Sequence, residues 1–371
     1  MLPIRTLHLD SERSWRGGQN QVVLLLSELC KAAKPGDAHF LAATSESEIL
    51  TRWKQRGGSA LTLASNFFSL RNLMALVRFC REEKINILHA HTSKAHSLAL
   101  CARFFLRGSK LVVHRRVDFV PDKWLLTSLK YLSPKVDAYV AISNAVKDIL
   151  ISIGVSTSKI AVVNSATDAR LFDVRLKKQK REDLVSKFNL AQDTKILLSV
   201  AYFTGQKDHK TLLRALALLV KRRSNFYCLF AGGGPLLSEC QTLAEELGLT
   251  DRVQFLGIRT DVVDLLLGAD IFVMSSQWEA LGTSILDAML AQTCVVATSA
   301  GGIPEVITDG LTGKLCPIKD PAALSEAILD VLSDERKRQT LASQAHKKVT
   351  ATFSVEKMAA GNRAVYANLI S

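Results

Sequence analysis

Glu279 and Asp287 are the two residues whose type and spacing promise chemistry. A Gly282-Thr283-Ser284 turn of the kind that opens a helix lies between them. This arrangement puts Glu279 on a loop and Asp287 on the first helical turn. The exposed amides of such a helix start favour an anion such as a phosphate. Ionised carboxylates accept strong hydrogen bonds from hydroxyls. A pocket joining the three would suit a diphosphate and two sets of hydroxyls, the parts of a nucleotide sugar. The spacing Ser284-x-x-Asp287 also suits a plain capping box.

Other motifs must be positioned around this one. Ser199 to His209 has the shape strand, loop, basic residue, helix, and places Lys207 where a point charge could meet a diphosphate. Phe226 to Pro235 is a strand followed by Gly232-Gly233-Gly234, whose glycines allow close backbone approach. It lacks the full dinucleotide fingerprint and its downstream acid. Phe255 to Val262 offers backbone groups at Ile258 and Arg259, and Ser299 to Ile307 contains Gly301-Gly302 and Glu305, a structural acid in the turn. Near the start, Trp15-Arg16-Gly17-Gly18 is a glycine turn that could present amides to a phosphate, with Arg16 beside it. His114 closes an apolar run. His89, His91 and His96 invite a metal reading, but no acidic partners accompany them, and structural roles are expected.

The elements that hold these motifs are short, β-branched apolar runs alternating with helical patterns, as in parallel sheets buried on both faces. Strands are expected at the N-terminus (residues 2–10), at 84–91, 110–114, 136–142, 160–164, 195–201, 226–231, 253–257, 270–274 and 294–297. Helical faces are expected from Leu70, Leu73, Met74 and Val77, and from Leu212, Leu213, Leu216, Leu219 and Val220. The alternation predicts two doubly wound α/β domains, with ligands at the carboxyl ends of the strands. The charge cluster Lys177 to Arg181 reads as a linker, which divides the chain into a first domain at 1–176, a linker at 177–190 and a second domain at 191–352. Residues 353–371 have a helical pattern.

Hydrophobic residues make up 48% of the 371, enough to bury two cores. The seven cysteines have no metal or disulfide pattern, which suits a reducing compartment. No apolar run approaches the roughly 18 residues of a membrane span, and no leader peptide is visible. Residues 1–180 carry a net +14 and the rest −1. That asymmetry points to an anionic partner for the first half, with lipid favoured over nucleic acid because no stacking aromatics are interleaved with the basic residues. The stretch Arg115, Arg116, Lys123, Trp124, Leu125, Lys130 is the expected membrane-facing segment.

Taken in order, these motifs resemble the family 4 retaining glycosyltransferases, which have the GT-B fold of two Rossmann-like domains facing across a cleft. The family signature is a Glu, seven residues and a second Glu, with Gly-Phe-Gly-Leu-Pro after the first. Here Glu279 and Asp287 take the acidic positions, Leu281 replaces Phe, and Thr283-Ser284 replaces Leu-Pro. Lys207 matches a phosphate-gripping lysine, while Tyr202 stands where the family has an arginine. The resemblance implies catalytic roles for Glu279, Lys207 and His114. It implies donor binding by Asp287, Gly17, Gly18, Arg16, Tyr202, Gly282, Thr283, Ser284, Ile258 and Arg259. It further implies a last helix returning to the first domain, no metal or other cofactor, and sugar transfer to a glycan or lipid-linked acceptor. Such work belongs to envelope polysaccharide or lipopolysaccharide synthesis, on the cytoplasmic face of the cytoplasmic membrane. The competing readings are a sugar-nucleotide epimerase of the same fold and a non-enzymatic basic membrane-binding protein.

Overall fold

A computed structural model describes residues 2–118, 125–223 and 225–371. The chain forms two compact units. Residues 1–166 and 355–371 build the first, and residues 167–354 build the second.

The first unit is a seven-stranded sheet of β1 (Arg5–Leu9), β2 (Ala38–Thr44), β3 (Ala60–Leu63), β4 (Ile87–Ala90), β5 (Lys110–Arg115), β6 (Ala138–Ala141) and β7 (Ile160–Val162). The order is β3-β2-β1-β4-β5-β6-β7, and every pair is parallel. The chain winds outward from β1 in one direction, then returns to place β4 on its other side. The switch point therefore lies between β1 and β4, where a doubly wound sheet opens a crevice at its carboxyl edge. Helix Gly17–Lys31 and the last helix, Val355–Ile370, cover one apolar face. Leu25, Leu29, Ile87, Val112, Met358 and Tyr366 are buried together there.

The second unit repeats the plan with six parallel strands, β8 (Lys195–Val200), β9 (Phe226–Ala231), β10 (Val253–Phe255), β11 (Ile271–Met274), β12 (Cys294–Thr298) and β13 (Lys314–Cys316). Their order is β10-β9-β8-β11-β12-β13, all parallel, and the switch point falls between β8 and β11. The strands are continuous apolar runs because helices cover both faces. Every residue of β11 and β12 is buried.

Three strands, β2, β3 and β13, lie outside the sequence expectations. Two of them, β3 and β13, are sheet edges of four and three residues. The expected linker is also revised. Residues Lys177–Lys187 form a helix with Leu184 and Val185 buried. Its basic side chains are held within the second unit, Lys180 by Asp264, Arg181 by Asp270, and Lys177 by the carbonyl of Ala291. The units instead divide at Ala166/Thr167. Helix Leu70–Glu82 buries Asn72, Leu76, Val77 and Cys80. Leu70 and Met74, expected inside, are 72% and 65% exposed. The rotation follows from Asn72, whose amide bonds the backbone of Ala64, Asn66 and Phe67 and must face inward.

Candidate active site

In the second unit the side chains expected to meet a donor gather at the carboxyl ends of β8 and β11. Lys207 follows β8 on a single 3-10 turn, Gly205–Lys207. Asp208 comes next in the left-handed conformation, with φ of 44°, and caps helix His209–Val220 through the amide of Thr211. This tight corner is tied to the loop after β11. Ser275 Oγ donates to the carbonyls of Lys207 and Asp208 at 3.0 and 2.9 Å, and Gln277 N donates to Gln206 O at 2.8 Å. The ties bring Lys207 Nζ onto Glu279 Oε2, a pair whose side chains are 19% and 11% exposed. Ser276 Oγ donates to the same oxygen at 3.3 Å. A charge pair this secluded is secured by its surroundings, since desolvation opposes it.

Behind the pair, Gly302 N donates to Glu279 O at 2.8 Å. A Cβ on Gly301, whose φ is +49°, would stand 2.1 Å from that same carbonyl. Gly301-Gly302 is therefore the backing on which Glu279 sits. In front of it, Gly282 adopts φ 85° as the residue before helix Thr283–Leu290, and no side chain caps that helix. The capping box offered by Ser284 and Asp287 does not form. Asp287 is on the second turn rather than the first. Its carboxylate accepts from Thr167 Oγ1, and burial pushes its pKa up to about 6 against that bond.

The remaining donor-side residues are placed as follows. Gly232 N donates to Gly257 O at 2.8 Å, joining the glycine turns after β9 and β10. A Cβ on Gly233 would touch Ile258 Cγ1 at 3.0 Å. Ile258 is 81% exposed and Tyr202 43%. The side chain of Arg259 is paired to Asp261, Nε to Oδ1 at 2.7 Å.

Models of known families match both halves of the chain. "Glycosyl transferases group 1" matches residues 180–348 and "Glycosyltransferase Family 4" matches residues 16–171. The chain belongs to the family 4 glycosyltransferases.

Among its relatives, the N-acetyl-alpha-D-glucosaminyl L-malate synthase of Bacillus anthracis is 25% identical over 307 residues, 80% of this chain and 78% of that protein. The lipopolysaccharide core biosynthesis glycosyltransferase LpsE of Rhizobium meliloti is 32% identical over 171 residues, 46% of this chain and 49% of that one. The structure of Anabaena Alr3699/HepE in complex with UDP and glucose superposes with a TM-score of 0.86 at 20% identity, covering 98% of this chain and 100% of that one. That likeness identifies the fold as GT-B, two Rossmann-like units.

The first unit of this glycosyltransferase presents a different arrangement. Gly17 and Gly18 open helix Gly17–Lys31, preceded by Arg16, and no side chain caps it. A Cβ on Gly18 would meet nothing within 4 Å, so the protein's own packing does not require a glycine there. His114 lies near the end of β5, buried, with Nδ1 3.2 Å from His89 Nε2. Sequence reasoning missed its neighbour His8. The ring of His8 lies on β1 directly across from His89 on β4, and His8 Nδ1 is 2.9 Å from His91 Nε2. The available signal was that both histidines fall on the strands flanking the switch point. His96 is not part of this group. It packs edge-on against Tyr131 and Tyr139. Burial, with further lowering from the charge of Arg116, pushes the pKa values of His8, His89, His91 and His114 well below the ordinary histidine range, so all four rings are neutral at pH 7.

The expected membrane-facing stretch is revised in part. Arg115 is buried, donating to Tyr131 Oη and lying over its ring. Arg116 is turned toward the histidines. Lys123 and Trp124 lie outside the described residues, as does the side chain of Leu125. Lys130 donates to Ser93 O.

Proposed function

We propose that this enzyme transfers a sugar from a nucleoside diphosphate sugar to a glycan or lipid-linked acceptor with retention, in lipopolysaccharide or other envelope polysaccharide synthesis. The observation that carries the reading is the secluded Lys207–Glu279 pair beside the uncapped start of helix Thr283–Leu290. The pair and the amides of that start supply one cation, one carboxylate and free donors within one unit. Lys207 and the amides stabilise the departing diphosphate as its charge grows. Glu279 holds the sugar hydroxyls, and Asp287 the ribose hydroxyls. On this reading the second unit takes the donor and the first unit takes the acceptor.

In the retaining step the acceptor oxygen bonds to the anomeric carbon on the face from which the phosphate oxygen leaves. The acceptor proton passes to that leaving phosphate. Drawn this way, the step needs no metal or other cofactor.

The reading also places the enzyme on the cytoplasmic face of a membrane. No helix among the described residues is long and apolar enough to cross one. The support is a set of exposed apolar residues, Phe68, Leu70 and Met74 around the start of helix Leu70–Glu82 and Phe104 and Phe105 after helix Ser93–Ala102. Arg81 donates to Phe105 O at 3.2 Å and ties the two segments together, while Lys135 lies over the Phe104 ring.

Thermal stabilisation by UDP, GDP, ADP and their sugars is the test. UDP comes first because it is the nucleotide named with the Anabaena protein. A selective shift that Lys207→Ala abolishes supports the donor site. No shift with any member overturns it. The anomeric configuration of the product, read by NMR, decides retention.

A further inference from the structure

His8, His89 and His91 have the look of a metal site, with three buried rings whose ligand atoms lie within 4.8 Å of one another. The hydrogen-bond directions argue otherwise. Arg116 can only donate, and its Nη1 lies 2.8 Å from His91 Nδ1. His91 therefore accepts at Nδ1, and as a neutral ring it carries its proton on Nε2. That proton is donated to His8 Nδ1 at 2.9 Å, which forces the proton of His8 onto its own Nε2. The second branch runs the same way. The Arg116 cation, with Nη2 3.5 Å from His114 Nδ1, disfavours a proton on that nitrogen and leaves its single lone pair to one full hydrogen bond. His89 Nε2 then donates to His114 Nδ1 at 3.2 Å, and His89 Nδ1 accepts from the hydroxyl of Tyr366 at 2.6 Å.

The outcome is a group of rings that offers protons rather than lone pairs. Its ends are incomplete. Among the described residues, His8 Nε2 and Arg116 Nε are both buried with no hydrogen-bond partner, and a buried donor without an acceptor is costly to leave unmet. The group stands at the carboxyl ends of β1, β4 and β5, on both sides of the switch point of the first unit. The arginine beside it is positive, which disfavours a cation. Asp10, next after β1, is an acid whose charge acts on Arg116, as does the phenol of Tyr366. Asp10 is itself bound by Gln19 Nε2 at 3.1 Å and by the amide of Glu12 at 2.8 Å.

We infer that this group is a binding site for a carboxylate or phosphate carried by the acceptor, and that Arg116 is the positioning residue that sets its rings as Nε2–H donors. The word acceptor rests on the proposed function; the site and its wiring do not.

Long-range proton–nitrogen NMR on 15N-histidine protein, with ring signals assigned by single His→Gln variants, reads the tautomers without any assay of activity. His8, His91 and His114 are expected to be protonated at Nε2 alone at pH 7.5. Sodium succinate and inorganic phosphate, titrated separately, should move the His8 signal saturably, and the tighter of the two names the anion. Arg116→Gln should remove the response, and Asp10→Asn should tighten it several-fold. Arg116→Lys keeps the charge without the fork, and unchanged nucleotide-induced stabilisation in either variant shows that the fold is intact. A proton on His91 Nδ1, no saturable shift with either anion, or tight retention of zinc by the rings would each overturn the inference. Loss of nucleotide binding in the unaltered enzyme would instead overturn the donor reading alone.

Discussion

At the scale of single residues, the second unit depends on one carboxylate held by many weak ties. The Glu279 carboxylate receives Lys207 and Ser276, while its backbone carbonyl accepts from the Gly302 amide, each donor coming from a different segment. Replacing Glu279 with Gln keeps the shape and removes the charge. Glu279→Gln is expected to lower kcat by about 10²-fold and, because Lys207 is left secluded without its counter-charge, to lower the unfolding free energy by about 3 kcal/mol; single-turnover rates together with a urea titration check both. Lys207, Glu279 and the glycine turns were legible in the sequence because each sits where an apolar run stops. Their pairing was not, since an ion pair between residues 72 positions apart depends on which strands are neighbours. His8 was overlooked for the same reason. Nothing in the local pattern of β1 says that β4 will lie beside it.

Among the elements, helices with a strong apolar stripe and buried central strands were readable, and short edges were not. β13 contains three residues and β3 four, too few for a periodicity to show. β2, Ala-His-Phe-Leu-Ala-Ala-Thr, is rich in alanine and has little of the β-branched character that marks its neighbours. Helix Leu70–Glu82 shows how a polar residue can overrule an apolar count. The amide of Asn72 satisfies three loop carbonyls and turns Leu70 and Met74 outward. Met74→Gln should therefore change unfolding free energy by less than about 0.5 kcal/mol. Leu76→Ala, one turn along the inner face, should cost about 2–5 kcal/mol. Urea titrations of the two variants side by side distinguish this orientation from the one the leucine spacing suggests.

For the whole molecule, the charge asymmetry and the exposed apolar residues of the first unit make one prediction together. The enzyme should cosediment with vesicles containing anionic lipid at low salt and be released as ionic strength rises. Equal binding to neutral vesicles would exclude the electrostatic component. Stability should also fall in acid. Burial holds His96 and His209, one in each unit, down to a pKa of about 3. The unfolded chain therefore binds protons that the folded chain refuses between pH 6.5 and about 3, and stability is lost as pH falls through that window. Urea midpoints measured across it should decline, and His96→Leu should flatten the decline.

The first unit is assembled from both ends of the chain. Tyr366, fully buried, belongs to the last helix, yet its hydroxyl completes the branch through His89. During synthesis, residues 167–354 can leave the ribosome as a finished unit while the first 166 wait with one face of their sheet uncovered. A sheet made before the second unit is thus sealed by a helix made after it. A chain interrupted before Val355 would keep the whole second unit and lack the helix that covers one face of the first unit's sheet.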